Sequence, residues 1–288
     1  MASILAKFLP AKPVLVVSFD YEYNKVRYLE RLQRELTCVC CGWEDLEVVN
    51  GEAVVDGKRV SDFKFVLIGT VGEHSALYAA LLACVKACGI PYFSYGKSEE
   101  LNSKTLQTIN FKNSNVSHPK TVILTAKPDK ADMLVKELKL PLVTKIINGS
   151  QGKGVLKHET KESLVKELKA RQNEQLIVQE ALIASCDYRA CFIYDELIYV
   201  QKRSSTKKGE FRHNISLGGA SEYVTLPPEA IALAKLAQSS MDFDASGVDL
   251  IQDEPTGKWY VLEVNSAPQF SETTKVLEKL ISIVKSKT

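Results

Sequence analysis

The sequence predicts a mixed α/β and α+β chain in three parts, and three observations predict it. Short apolar runs alternate with helix-spaced apolar patterns over the first third, as in a small open α/β domain. A polar stretch, Tyr95-Gly96-Lys97-Ser98, then interrupts the pattern. The last third is rich in strand patterns, with two helical patterns among them. The expected divisions are 1–97, 98–182 and 183–288.

Each element follows from its residues. Val14-Leu15-Val16-Val17 is a short apolar run of strand type, and Asn24 to Leu36 carries apolar residues at helical spacing. Phe65 to Gly69 reads as a buried strand, Glu73 to Cys88 as a helix closed by Gly89, and Tyr92-Phe93 as a strand after Pro91. The turn after the first strand, Ser18-Phe19-Asp20-Tyr21, has no G-x-G-x-x-G, so a dinucleotide fingerprint is missing there. The middle part opens with a short helix at Asn102-Ser103-Lys104-Thr105. Strands follow at Pro119–Leu124, Pro141–Ile147, Gly154–Lys157 and Gln175–Ile183, with helices at Asp132–Leu138 and Ser163–Ala170, a small α+β sandwich. The last third carries strands at Tyr188–Ile193, Leu197–Lys202, Gly247–Gln252 and Trp259–Val264, and helices at Glu229–Ser239 and Thr273–Lys285.

Composition narrows the classes. The 288 residues are 45% hydrophobic and 25% charged, enough to build a sizeable core, and the net charge of +2 implies no nucleic-acid or membrane field. Lys7 interrupts the apolar stretch of MASILAKFLPAKP, a poor secretion signal, and no apolar run reaches the ~18 residues of a membrane span. A cytoplasmic, soluble protein is expected, without nucleic-acid or membrane partners and compatible with a homo-oligomer. Seven cysteines without a secretion signal point to reduced thiols. Cys38, Cys40 and Cys41 invite a zinc reading, although no second Cys or His pair stands at finger-like spacing; Cys84 and Cys88, one helical turn apart, read as core.

The chemistry gathers near the end of the chain. Gly247-Val248-Asp249-Leu250-Ile251-Gln252 and Trp259-Tyr260-Val261-Leu262-Glu263-Val264-Asn265 flank the turn-rich Asp253–Lys258 and read as a hairpin. If its turn centres on Thr256, Asp249 lies across from Glu263, and Asn265 shares the face of Glu263. Three oxygen donors on one face suit Mg²⁺ or Mn²⁺; the alternative is polar residues facing water at a sheet edge. Gly149-Ser150-Gln151-Gly152-Lys153-Gly154 lies between two strands and lacks P-loop spacing; it reads as a phosphate cradle or as an ordinary hairpin turn. Lys145, inside an apolar strand, points to solvent or to a ligand, and Lys104 is either a ligand contact or a solvated helix lysine. Arg189, Arg203 and Arg212 share one strand-rich region, where guanidinium groups suit phosphate or carboxylate; singly, each also reads as a surface charge.

Taken together, Lys145 with GSQGKGV, QEAL followed by DYR, KR followed by GEFRHNISLGG, GVDLI and LEVNSAPQF resemble the RimK-like branch of the ATP-grasp carboxylate–amine ligases, in the family's order, over about the last two thirds of the chain. The resemblance implies an ATP-grasp fold behind an N-terminal Rossmann-like domain. Residues 98–182 would form the central subdomain with the glycine lid, and 183–288 the subdomain with the metal and substrate site. It implies that Lys104 and Lys145 hold ATP phosphates under a lid formed by Gly149, Ser150, Gln151, Gly152 and Gly154. Glu180 and Ala181 would meet adenine through the backbone, Asp187 would contact the ribose, and Arg212, His213 and Asn214 would lie beside the phosphates. Asp249, Glu263 and Asn265 would bind Mg²⁺ or Mn²⁺, two ions per site. Arg203 and Arg212 would act in catalysis, and Arg189, Arg203 and Asn214 would take the substrate carboxylate.

The implied reaction joins an amino acid to a peptide, a protein C-terminus or an amino-acid-like metabolite. ATP converts a carboxylate to an acyl phosphate, which an amine then attacks. Two departures stand out: Leu217 occupies a position where the branch often has Arg before the Gly pair, which weakens any claim for glutamate, and Asn102-Ser103 precedes Lys104 where an acidic residue is common. The rival readings are a non-catalytic ATP-binding regulator of the same fold, like the synapsins, and a thiol metal protein through Cys38, Cys40 and Cys41.

Overall fold

The computed structural model describes residues 12–18, 25–96, 103–147, 154–204, 220–268 and 273–288. The chain packs as two compact units: Met1–Glu99 with Phe243–Ala245 and Gln269–Thr288, and Glu100–Asp242 with Ser246–Pro268.

The first unit is built on a parallel sheet of β1 (Val14–Val17), β2 (Cys38–Cys41), β6 (Phe65–Ile68) and β7 (Tyr92–Ser94), in the order β2-β1-β6-β7. VLVV and FVLI are buried along their whole length, as strands covered on both faces must be. Helix α1 (Lys25–Glu35) links β1 to β2, and α2 (Ser75–Ala87) links β6 to β7. Helix α2 stops where Gly89 takes a positive φ of 64°. A small antiparallel meander, β3 (Leu46–Val49), β4 (Glu52–Val55) and β5 (Lys58–Arg59), packs into the same core through Leu46, Ala53 and Val55.

The helix read at Thr273–Lys285 is α7 (Thr273–Lys287), and the structure places it in this first unit rather than with the strand-rich last third. Its apolar face, including Val276, Leu280 and Val284, is buried. Two ion pairs join it to α1, Arg31–Glu278 at 3.2 Å and Lys285–Glu35 at 2.8 Å. Both are too exposed to contribute much; burial of the apolar stripe holds the helix.

The second unit contains two sheets. One is antiparallel, with strand order β10-β9-β11-β8, from β8 (Thr121–Thr125), β9 (Leu142–Ile146), β10 (Leu156–His158) and β11 (Gln175–Glu180). Its core joins Leu134 and Leu138 of α4 (Ala131–Leu138), Leu164 and Leu168 of α5 (Lys161–Ala170), and the strand residues Leu142 and Val178. The hydroxyl of Thr160 caps α5 by accepting from the Ser163 N–H at 3.3 Å. The other sheet runs β14-β13-β12-β15-β16, from β12 (Asp187–Ile193), β13 (Glu196–Ser204), β14 (Ala220–Val224), β15 (Ala245–Gln252) and β16 (Trp259–Asn265). Helix α6 (Pro228–Ser239) packs against β12 and β16. Helix α3 (Lys104–Asn113) opens the unit and also contacts β16. Among the described residues no helix is long and apolar enough to cross a membrane.

Candidate active site

Strands β15 and β16 pair so that Asp249 faces Glu263 and Gly247 faces Asn265. The route to that pairing differs from a simple hairpin. Near the turn, which Asp253 closes by donating its N–H to the Lys258 carbonyl at 2.9 Å, Gln252 faces Trp259 and Leu250 faces Val261. Continued, that register would set Asp249 against Leu262. A β-bulge between Asp249 and Leu250 takes up Leu262 and brings Glu263 opposite Asp249 instead.

Asp249 lies at the centre of a buried lattice of alternating charge. Arg189 of β12 grips it with both arms of the guanidinium, Nε to Oδ1 and Nη2 to Oδ2, each at 2.7 Å. Arg203 of β13 reaches Asp249 Oδ2 through Nη2 at 3.2 Å and donates from Nε to Asp187 Oδ1 at 2.6 Å. Asp187 faces Arg203 across the β12–β13 ladder, so the sheet register itself assembles this pair. Burial opposes charge on Asp249, but Arg189 and then Arg203 override it and hold the carboxyl below its ordinary range. Burial is likewise the largest influence on the two arginines and opposes their charge; Asp249, joined by Glu263 at Arg189 and by Asp187 at Arg203, outweighs it and raises both.

Glu263 is the more open carboxylate. It accepts from Asn265 Nδ2 at 3.1 Å, and Lys104 Nζ stands 4.0 Å from its other oxygen. Lys104, Gln107, His118, Lys145, Gln179 and Glu263 line one small cavity. Burial pushes the Lys145 ammonium down, and Glu263 is the largest opposing influence. Among the described residues, Lys104, Lys145, Arg189 and Arg203 thus stand beside the carboxylates of Asp187, Asp249 and Glu263, a basic setting that suits a polyanion.

The other sequence-predicted residues divide. The carboxylate of Glu180 accepts from the Lys120 N–H at 2.8 Å, while the N–H groups of Glu180 and Ala181 go to the carbonyls of Lys120 and Pro141. Gly154 takes a positive φ of 71°, and a Cβ there would stand 2.4 Å from Ile146 Cδ1, so the glycine is required where β10 is approached. Gly149, Ser150, Gln151, Gly152, Arg212, His213 and Asn214 lie outside the described residues.

The zinc reading of the cysteines is corrected. Cys41 sits in the core of the first unit, while Cys38 and Cys40, two residues apart on β2, contact each other at 3.8 Å, so the three thiols do not converge. Among the described residues no group of three or more His, Cys, Asp or Glu could hold a metal. Cys88 is also not core: it caps α2 and is exposed. The contact from Cys38 is the main cause that pulls the Cys40 thiol down to about 7. Alkylation of the Cys38–Cys40 pair, followed by peptide mass analysis, is therefore expected to reach half its maximal rate for the first thiol below the ordinary thiol range; half-maximum above about pH 8.5 would contradict this.

Two residues at the site were missed by sequence reasoning. Gly247 has no room for a side chain: a Cβ would lie 2.9 Å from Pro268 and 3.3 Å from Arg189 Cδ. A glycine inside a strand was the available signal. Gln107 carried no sequence signal; only its pairing in the fold reveals it.

Beside the glycine stretch, His158 of β10 is locked between Thr144 Oγ1 at 2.9 Å and Ser163 Oγ at 3.0 Å. Burial lowers its pKa from the ordinary 6.5, with Glu167 opposing. The unfolded chain therefore takes a proton that the folded one resists. Stability is fully present above pH 6.5 and falls as pH drops below it, by at most about 1.4 kcal/mol per pH unit. Urea unfolding across pH 4.5–7.5 is expected to show this slope in the parent and a shallower one in His158→Gln; equal slopes would refute it.

Comparison with known proteins gives the family and the fold. Residues 101–284 match the RimK-like ATP-grasp domain. The probable alpha-L-glutamate ligase of Alkalilimnicola ehrlichii is 36% identical over 147 residues, 49% of this chain and 48% of that protein. The ribosomal protein bS6–L-glutamate ligase of Shigella boydii is 31% identical over 154 residues, 52% of this chain and 50% of its own length. The matches thus span about half the length of these curated relatives. The solved ATP-grasp ligase PsnB, complexed with a minimal precursor, superposes with a TM-score of 0.74 over 97% of this chain and 99% of its own, at 16% identity.

Proposed function

The chain belongs to the RimK-like ATP-grasp family and has the ATP-grasp fold, and from that premise we propose that it is an ATP-dependent ligase joining a carboxylate to an amine. The observation that carries the proposal is the pairing of Asp249 with Glu263, with Arg189 of β12, Arg203 of β13, Lys104 of α3 and Lys145 of β9 beside them. Phosphoryl transfer asks for positioning and charge neutralisation, and this cluster offers both.

In this reading Lys104 and Lys145 bind the ATP phosphates. The Glu180–Ala181 segment meets adenine; its N–H groups are used within the unit, which leaves contact through carbonyls and side chains. Asp187 is tied to Arg203, so its part is to orient that guanidinium before any contact with ribose. The donors fit a hard cation in type: two carboxylates and an amide, all oxygen ligands, on paired strands. Glu263 and Asn265 would hold Mg²⁺ or Mn²⁺ first, since both oxygens of Asp249 already accept from guanidiniums. A bound ion would supply charge neutralisation at the transferring phosphoryl group. Arg189 and Arg203 already grip Asp249 and Asp187, so their part in this reading is to hold that carboxylate cluster, and Arg212 and Asn214 are the groups proposed to receive the substrate carboxylate.

The substrates proposed are an amino acid and a peptide or amino-acid-like partner. The named relatives are glutamate ligases, but Leu217 in place of an arginine weakens the case for glutamate in this chain. The test is ADP release with pairs of amino acids and short peptides, with hydroxylamine as a trap for the acyl phosphate. Release that needs both carboxylate and amine is expected. ATP binding without ADP release for any pair would favour the non-catalytic regulator.

A further inference from the structure

Among the described residues strand β16 lies at the end of its five-stranded sheet, and one row of its backbone groups has no neighbouring strand. Val264 stands in that row, fully buried between Glu263 and Asn265. A buried N–H and C=O left unmatched there would be costly. Gln107 of α3 meets both: its Oε1 accepts from the Val264 N–H at 2.8 Å, and its Nε2 donates to the Val264 carbonyl at 2.8 Å. One side-chain amide thus does what a neighbouring strand would do. Further along, the Val261 N–H donates to the Ser117 carbonyl at 2.8 Å, so the segment following α3 covers the same edge.

The geometry points to Gln107 as a positioning residue for the proposed cation and nucleotide site, a role that rests on the ligase reading above. Gln107 fixes the backbone between the two residues assigned to the cation. It also fixes the start of α3, where Lys104, three residues earlier and on the same helical face, approaches Glu263 at 4.0 Å. Gln107 is itself only 4% exposed and lines the cavity with Lys104, Lys145 and Glu263. The position requires one donor and one acceptor at this reach. Glutamate supplies acceptors alone and would set an anion against the Val264 carbonyl; methionine fills the volume and satisfies neither group.

The first measurement needs no variant. In hydrogen exchange on the full chain, the Val264 amide is expected to be protected as strongly as amides inside the sheet; exchange at the rate of an open edge would overturn the proposal. The second is binding of Mn²⁺ in the presence of ADP, followed by electron paramagnetic resonance. Gln107→Met and Gln107→Glu, at a temperature where circular dichroism shows both folded, are expected to bind Mn²⁺ at least tenfold more weakly, and Gln107→Asn to fall between them and the parent. Parental affinity in the folded Met and Glu variants would overturn the role. Neither readout depends on turnover, so a parent chain that binds Mn²⁺ and ADP yet releases no product from any substrate pair would refute the ligase reading and leave Gln107 judged on its own.

Discussion

Glu263→Gln is expected to abolish turnover, by at least the ~10²–10³-fold attached to one lost preorganised group, while the unfolding free energy changes by less than about 1 kcal/mol. The two effects separate because of where Glu263 stands. It is partly exposed, it accepts from Asn265, and among the described residues the cation paired with it is Lys104 at 4.0 Å. A half-exposed contact of that length contributes little to folding. Glutamine keeps the volume and the acceptor for Asn265 but removes the charge opposite Asp249. Steady-state ADP release at saturating Mg²⁺, beside a urea melt, tests this. Turnover within threefold of the parent would mean that Glu263 is not part of the reacting centre.

Arg203→Ala is expected to do the reverse and to strike folding first. Arg203 is 3% exposed and lies between Asp187 and Asp249. Removing the shared cation leaves two carboxylates in the interior with less compensation, a loss of about 3–5 kcal/mol by the usual scale for breaking a buried ion pair. Arg203→Lys keeps a charge but loses the planar fork that reaches both acids. It should recover part of the stability and little of the activity. Denaturant midpoints for the three proteins decide the matter. An alanine variant as stable as the parent would show that Arg189 alone satisfies Asp249, and that Arg203 is free to serve the substrate, as the sequence suggested.

Much of this site was legible in the sequence, for a physical reason. Strand alternation and turn residues fix a hairpin locally, and a turn centred on Thr256 would set Asp249 opposite Glu263; the turn in fact runs one residue off that register, and the pairing is reached through the bulge. The bulge that secures their pairing was invisible, because a bulge is a compromise among several neighbouring strands. Arg189 and Arg203 were legible as a basic group, but their engagement with Asp249 and Asp187 depends on the order β13-β12-β15, which no local pattern encodes. The meander β3–β5 was readable yet unread: Asn50-Gly51 and Asp56-Gly57 both adopt positive φ, the tight-hairpin signature. Strand β2 was obscured by its cysteines, which drew attention to metal chemistry. Gln107 lay beyond reach, since a glutamine on a helix gains meaning only from the strand edge it meets.

The helix α7 has a consequence for the order in which the molecule can be made. Its residues follow the whole of 246–268 in the chain, yet they complete a unit whose sheet is encoded before residue 99. As the polypeptide emerges from the ribosome, that sheet must wait, short of the apolar stripe of Val276, Leu280 and Val284, while the second unit is synthesised in full. The second unit can therefore close first and behave as an insert within a half-built host. A gene cut between residues 97 and 103 would then separate the host from its last piece, and the sheet-bearing fragment is the one that should be found with chaperones.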